Sequence, residues 1–268
     1  MKIKKVKVII LCGPDLRHLN TCATLIRKGV NVVGICICNE KTKGIPLKYI
    51  RKSIQKKGFL KVFGQILGKI YYKIFNQYKD KLIHDRLFVK KNIDNVINNW
   101  RGEKHYTTSY SDQKTLEWLS ALEADIFVVH TMSWVDKKVR EMPRQDIIIG
   151  GHPGIVPLYR GAHSPFWAIY NGQPEKVGCS IFWLDFGVDT GDLINQEKIA
   201  IEYDDSYVTL SWKGMIREAE MQAETILNYQ NSIDIPRISH KKIPDNSCYD
   251  IPTLKDYLRY RMLQKYVR

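Results

Sequence analysis

Three side chains that can move protons, His130, His152 and Asp189, stand where hydrophobic runs end in loops. His152 lies in GGHPGIVPLYRG, Gly150 to Gly161, which packs one histidine, two prolines, one arginine and four glycines into twelve residues. Proline fixes φ and removes a backbone donor, and glycine opens left-handed conformations, so the stretch is neither plain helix nor plain strand. It reads as a stiff, irregular loop that holds an imidazole. Asp189 lies in GVDTGD, a turn shaped by Gly187 and Gly191. An imidazole and a carboxylate that meet over a cleft make an acid–base pair. Blander readings stand beside this one: a lone histidine can be a packing residue, and an aspartate in a Gly-rich turn can simply form the turn. A metal site of His152, His163 and Asp189 lacks tight ligand spacing, so no metal is expected.

These groups need a scaffold, and the pattern predicts an α/β one. KVKVIILCG reads as a strand ending in a Gly-Pro turn, Leu16 to Lys28 as a helix closing at Gly29, and NVVGICICN as a second strand. Strand, helix and strand with short links begin a parallel sheet. The loop CGPDLRHLN lacks GxGxxG, so no dinucleotide site follows. SDQKTLEWLSALEAD predicts a helix capped by Ser111 or Asp112, and IFVVH (126–130) a buried strand that exits through HTMSW. Val135 to Met142 suits a short helix. DIIIGGHPG (146–154) is a strand running into the histidine loop. Ser164-Pro165 reads as cap and first turn of a helix to Tyr170. VGCSIFWLD (177–185) is a strand, another follows the Gly-rich turn, and Asp204 or Asp205 caps a long helix ending near Asn231. Open sheets of this kind gather ligands at the carboxyl ends of their strands, where all three proton-moving groups fall.

HPGIVPLYRGAHSPFWAIYNGQPEKVGCSIFWLDFGVDTGDLINQEKI resembles the formyltransferase family that uses 10-formyltetrahydrofolate. That family's pattern runs Asn-x-His-Pro, Leu-Pro-x-Tyr-Arg-Gly, Gly-x-(Thr/Ser)-(Ile/Val) and Asp-x-Gly-x-Asp-Thr-Gly. The likeness covers roughly Val6 to Asn39 and Asp112 to Asn228, and is similar above all to sugar N-formyltransferases of bacterial surface-polysaccharide synthesis. It implies a Rossmann-like, mostly parallel sheet flanked by helices. It also implies formyl transfer from 10-formyltetrahydrofolate to the amine of an amino-sugar, in nucleotide-linked form. Methionyl-tRNA members carry a further C-terminal β-barrel, for which the tail here is too short. By the resemblance His152 is the catalytic histidine and Asp189 the aspartate that orients it and helps deprotonate the amine. The folate would lie between His130, Thr131, Met132, Ser133 and Trp134 on one side and Leu184, Asp185, Gly187 and Val188 on the other. The acceptor would approach from His163 and Ser164, with Arg160 structural.

One position departs from the family. Its asparagine, two residues before the histidine, is Gly150 here, and losing one oxyanion donor costs about 2.7–4 kcal/mol of barrier. Three readings follow. A backbone N–H of Gly150 or Gly151 replaces the amide; Thr131, Ser133 or His130 does; or the chain is a binding or scaffold protein that has lost the chemistry. A formyl-group hydrolase is a further alternative.

The chain has 268 residues, 44% hydrophobic and 26% charged, enough for a main domain and a small appendage. The expected division is an α/β domain over 1–232, with a basic helical insertion at about 41–104, and an extension over 233–268. Six cysteines without paired CxxC spacing read as reduced thiols. With no signal-peptide pattern and no apolar run long enough to span a bilayer, a cytoplasmic location is expected. The charge is localised: Lys41 to Lys91 holds fifteen Lys/Arg against Asp80 and Asp85, which accounts for nearly all of the net +14. Within it, KKGFLKVFGQILGKIYYKIF sets Lys57, Lys61, Lys69 and Lys73 on one face and Phe59, Phe63, Ile66, Ile70 and Ile74 on another, interrupted by Gly64 and Gly68. Two readings stay open. Residues 48–75 sit on an anionic membrane surface at its inner face, or the apolar face packs on the domain or on a second subunit in a homodimer. No nucleic acid is expected.

Overall fold

The computed structural model describes residues 5–39 and 47–264; residues 40–46, within the expected insertion, lie outside the described residues. In chain order the elements are β1 (Val8–Cys12), α1 (Leu16–Arg27), β2 (Val32–Cys38), α2 (Leu47–Lys57), α3 (Phe59–Phe75), α4 (Gln77–Leu87) and α5 (Lys90–Asn99). Next come β3 (Glu103–Thr107), α6 (Gln113–Ala121), β4 (Ile126–His130), α7 (Lys137–Arg140), β5 (Ile147–His152) and β6 (Arg160–Gly161). The remainder is α8 (Ser164–Tyr170), β7 (Gly178–Trp183), β8 (Leu193–Lys198), α9 (Tyr207–Gln230), β9 (Cys248–Tyr249) and α10 (Leu254–Gln264).

Seven strands form one sheet in the order β3-β2-β1-β4-β5-β7-β8. The first five run parallel, and β7 and β8 are antiparallel. The central strands β1 and β4 are buried at every residue, which is why they read as unbroken apolar runs. One face carries Val8, Ile10, Ile126, Val128 and Ile149 against α1, α5 and α9; the other carries Ile9, Leu11, Phe127, Val129 and Ile148 against α6. Each such side chain contributes roughly 1.5–3 kcal/mol by leaving water. The sheet is the Rossmann-like, mostly parallel scaffold that the sequence predicts.

Several local expectations are corrected. Ser206, and neither Asp204 nor Asp205, caps α9: its hydroxyl accepts from Val208 and Thr209 N–H, and Thr209 reaches back to its backbone in a capping box. Asp205 instead accepts from Thr209 Oγ1 and pairs with Lys213. Ser164 is the first helical residue of α8; the cap position belongs to His163, in the left-handed region at φ 58°. Gly64 and Gly68 do not interrupt the basic helix, since α3 runs unbroken from Phe59 to Phe75. The apolar row of α3 does not pack on the domain: Phe59, Phe63, Ile66, Ile70 and Ile74 are exposed. Part of the expected insertion belongs to the body, because Phe88, Ile93 and Ile97 enter the main core and β3 extends the sheet edge. The C-terminal segment lies across the body, where β9 pairs with β6 and Tyr257 and Tyr260 pack against Phe166 and Tyr207. The cysteines at 12, 22, 36, 38 and 179 are buried and Cys248 is exposed, and none of the six is in a disulfide.

Candidate active site

His152 is the last residue of β5, and the chain turns immediately through Pro153 and Gly154. Two antiparallel neighbours pin that turn. Ser180 on β7 donates its hydroxyl to Gly154 O at 2.6 Å and accepts from Val156 N–H at 3.2 Å. Gln196 on β8 donates to Val156 O. The turn brings Tyr159 and Ser164 back over the imidazole. Nε2 of His152 lies 3.0 Å from Tyr159 O and 2.7 Å from Ser164 Oγ. A carbonyl oxygen can only accept, so Nε2 carries the proton of the neutral ring, and Nδ1 is the nitrogen with the lone pair. Nδ1 lies 3.4 Å from Asp189 Oδ2.

Asp189 reaches this position from the loop after β7. Its φ of 52° is in the left-handed region, sparsely populated by non-glycine residues. Two contacts hold the loop, and a third anchors the arginine that makes one of them. Gly161 N–H donates to Asp189 Oδ2 at 2.9 Å, Arg160 Nη1 donates to Val188 O at 3.0 Å, and Arg160 Nε donates to Ser247 Oγ at 3.0 Å. Arg160 therefore ties the aspartate loop to the C-terminal segment.

Gly150 and Gly151 both lie inside β5, where the ladders to β4 and β7 engage their backbone. No side-chain amide stands at either position to act as the family's oxyanion donor. Nor is there space for an amide at 150: a Cβ there would sit 2.9 Å from Phe182 Cε2 and 3.2 Å from Leu184 Cδ1. A Cβ at 151 would sit 2.7 Å from Glu218 Oε2 and 3.2 Å from Gln222 Nε2. The phenyl ring of Phe182 thus occupies one glycine's side-chain space, and a carboxyl of α9 occupies the other's.

His130, at the end of β4, turns toward α9. Its Nε2 lies 3.3 Å from Glu218 Oε2, and its ring stands edge-on to His18 with centroids 5.4 Å apart. Burial raises the Glu218 carboxyl to about 8 and lowers both His130 and His18 to about 4. Burial thus favours the uncharged form of both partners. Beside it, Glu218 Oε1, His18 Nδ1 and both amide atoms of Gln222 are buried without a hydrogen-bond partner among the described residues. Reading the sequence missed Glu218 and Gln222. Their signal is the spacing Gly214, Glu218, Gln222, one stripe of α9 that is entirely buried.

The remaining expected residues divide. Thr131, Met132, Ser133 and Trp134 form the loop after β4, where Thr131 Oγ1 accepts from Ser133 N–H at 3.1 Å. Leu184, Asp185, Gly187 and Val188 form the facing loop, where Asp185 turns inward to accept from Gly187 N–H and Thr190 Oγ1. Arg140 joins the two loops: it donates to Val135 O and to Asp185 O, with its guanidinium 4.9 Å from the Trp134 ring centroid and 4.8 Å from that of Phe186. Met132, Trp134, Phe186 and Val188 are exposed there, an apolar and aromatic wall suited to a flat heterocycle. His163 stands edge-on to Tyr207 at 5.2 Å, with its pKa lowered to about 4 by burial and by Lys69. Ser164 is buried, with its hydroxyl oxygen 2.7 Å from His152 Nε2. Among the described residues no group of three or more His, Cys, Asp or Glu could hold a metal ion.

Residues 64–226, more than half of the chain, match the family model described as formyl transferase. The chain is 35% identical over 120 residues to a methionyl-tRNA formyltransferase of Synechococcus, covering 44% of this chain and 37% of that protein. It is 35% identical over 113 residues to the human cytosolic 10-formyltetrahydrofolate dehydrogenase, covering 39% of this chain and 12% of that one. The chain thus spans well under two thirds of the curated relatives it matches. Among solved structures, a glycinamide ribonucleotide transformylase from Symbiobacterium toebii superposes with a TM-score of 0.54 at 14% identity, covering 90% of this chain and 96% of that one. A sugar N-formyltransferase from Shewanella superposes with a TM-score of 0.54 at 13% identity, covering 97% of this chain and 88% of that one. At these identities the likeness speaks for the fold alone.

Proposed function

Because the chain belongs to the formyl transferase family, we propose that it transfers a formyl group to the amine of an amino-sugar, nucleotide-linked, in the assembly of a surface polysaccharide. The family's formyl donor, 10-formyltetrahydrofolate, brings the activated formyl group. The wall of Met132, Trp134, Phe186 and Val188 suits its pterin ring, with Arg140 between the two loops that would hold it. The observation that carries the reading is the approach of His152 Nδ1 to Asp189 Oδ2 on two loops that brace each other through Arg160 and Gly161.

The roles follow from the tautomer. Tyr159 O and Ser164 Oγ hold the proton on Nε2, so Nδ1 is the basic nitrogen. As the amine adds to the formyl carbon it sheds a proton that Nδ1 can accept while the carboxylate of Asp189 faces the new cation, and the imidazolium can return that proton to the donor nitrogen as its bond to the formyl carbon breaks and tetrahydrofolate leaves. Negative charge on the formyl oxygen can be stabilised by a backbone N–H of Gly150 or Gly151 or by the loop of Thr131 and Ser133. The amino-sugar acceptor draws support from the likeness in fold to the Shewanella protein.

One observation favours a second reading. The ring of Phe182 fills the space next to Gly150 in which the family's amide would project. A binding protein that has lost the chemistry would tolerate such a ring. Purified protein supplied with 10-formyltetrahydrofolate and a panel of nucleotide-linked amino-sugars separates the two. The enzyme releases tetrahydrofolate only with an acceptor, and Thr131→Ala slows it. No release with any amine favours the binding protein, and release with water alone makes the chain a formyl hydrolase.

A further inference from the structure

Helix α3 is attached by one face and leaves an apolar face in solvent. On the attached face Val62, Gln65 and Gly68 are buried, and Gln65 Nε2 donates to Ile251 O at 2.8 Å. Its glycines let it lie close: a Cβ at 64 would meet Thr253 at 3.1 Å, and one at 68 would meet the Tyr257 ring at 2.9 Å. Tyr71 packs on Tyr257 with ring centroids 5.9 Å apart. The orientation is therefore set by packing. It turns outward Phe59, Phe63, Ile66, Ile70 and Ile74, whose spacing of three and four residues makes one continuous stripe. Leu60 (82% exposed) and Phe75 (63% exposed) extend it at the two ends. A contiguous apolar surface of this size marks a contact with something else.

The surrounding charge narrows what that is. Lys69 and Lys73 flank the stripe on α3, and Arg51, Lys52, Lys56 and Lys81 project from α2 and α4, all exposed. Lys57 and Lys61 are held by Asp250, and Lys79 by Asp204. Of the two acids between Arg51 and Lys91, Asp80 is buried and bonded to Tyr72. A second copy would bring the same cations against the same cations. The complementary surface is apolar beneath and negative above. Among the described residues no helix is long and apolar enough to cross a membrane, so the 17-residue α3, about 25 Å long, has the dimensions of a helix lying in the plane.

We propose that α3 seats this protein on an anionic lipid bilayer, with the Phe59–Ile74 stripe at the acyl boundary and the lysines among the headgroups. The inference is independent of the catalytic assignment, and its test does not read activity. The full chain is sedimented with vesicles of phosphatidylcholine alone or of phosphatidylcholine with phosphatidylglycerol, at low and high salt. It should bind the anionic vesicles and release from them in salt. Lys69→Gln with Lys73→Gln should weaken binding on the order of thirtyfold at low salt. Phe63→Ser with Ile70→Ser should abolish it while leaving the circular dichroism and melting temperature unchanged, since both side chains are already in water. Failure to bind either vesicle, or equal binding to both, overturns the proposal. So does a wild-type dimer that binds no vesicle and that Phe63→Ser with Ile70→Ser turns into monomers.

Discussion

His152 is held by partners that decide which of its nitrogens is basic, and Glu218 is held by burial that decides its charge. The second has a consequence for stability. A carboxyl raised from 4.5 to about 8 contributes stability that is complete below about 4.5 and lost as pH rises toward 8. His18 and His130, lowered from 6.5 to about 4, act with the opposite sign, adding stability as pH rises from 4 to 6.5. Between pH 6.5 and 8 these two histidines no longer offset the Glu218 effect. Melting temperatures across that interval should fall for the wild type and fall less for Glu218→Gln; parallel slopes would mean that the carboxyl is already ionised in the fold. The two catalytic candidates were legible in the sequence because glycine and proline around them exclude regular structure. Glu218 was not. A charged residue in a long helix reads as solvated until the sheet shows which stripe of α9 is covered.

The elements that brace the histidine loop fit so closely that one methyl group disturbs them. At Gly154 a Cβ would lie 2.5 Å from Tyr159 O and 2.5 Å from Ser164 Cβ, against the two groups that hold His152 Nε2. Gly154→Ala should therefore cost about 1–3 kcal/mol of stability and lower kcat together. A variant with unchanged melting and unchanged kcat would contradict the proposed bracing. Arg140 acts between elements in the same way. Arg140→Ala should unclip the loops after β4 and β7 and raise KM for the formyl donor roughly tenfold, with kcat changed less; donor titrations measure it. Strand boundaries at the core were readable as apolar runs. The edge strand β3 was not, because Glu103, Lys104 and Tyr106 are exposed and carry no apolar signature. The caps of α8 and α9 were each misplaced by one or two residues where several polar residues compete for one terminus.

In the whole molecule the sheet and its helices form one body, onto which α3 and the C-terminal segment are fastened together. The fastening depends on Gly68 lying against Tyr257. Gly68→Val should loosen α3 from α10, costing about 1–3 kcal/mol, and should expose the chain near residues 51–61 to limited proteolysis well before the body unfolds. Cleavage at the wild-type rate would mean that the contact carries little of the attachment. The charge asymmetry was legible at this scale from composition, since one segment holds nearly all the excess. Which face of the helix turns outward was not, because Gly64 and Gly68 look like breaks in a sequence and act as a docking surface in the fold.

In the proposed function His152 and Asp189 work as one acid–base unit in formyl transfer. Single-turnover release of tetrahydrofolate, with donor and acceptor saturating, tests it in the wild type, His152→Ala, Asp189→Asn and the double variant. Each single change should slow release by roughly 10²–10⁴-fold, and the double variant should be no slower than the worse single one. Wild-type release by His152→Ala, or losses that multiply in the double variant, would contradict the account.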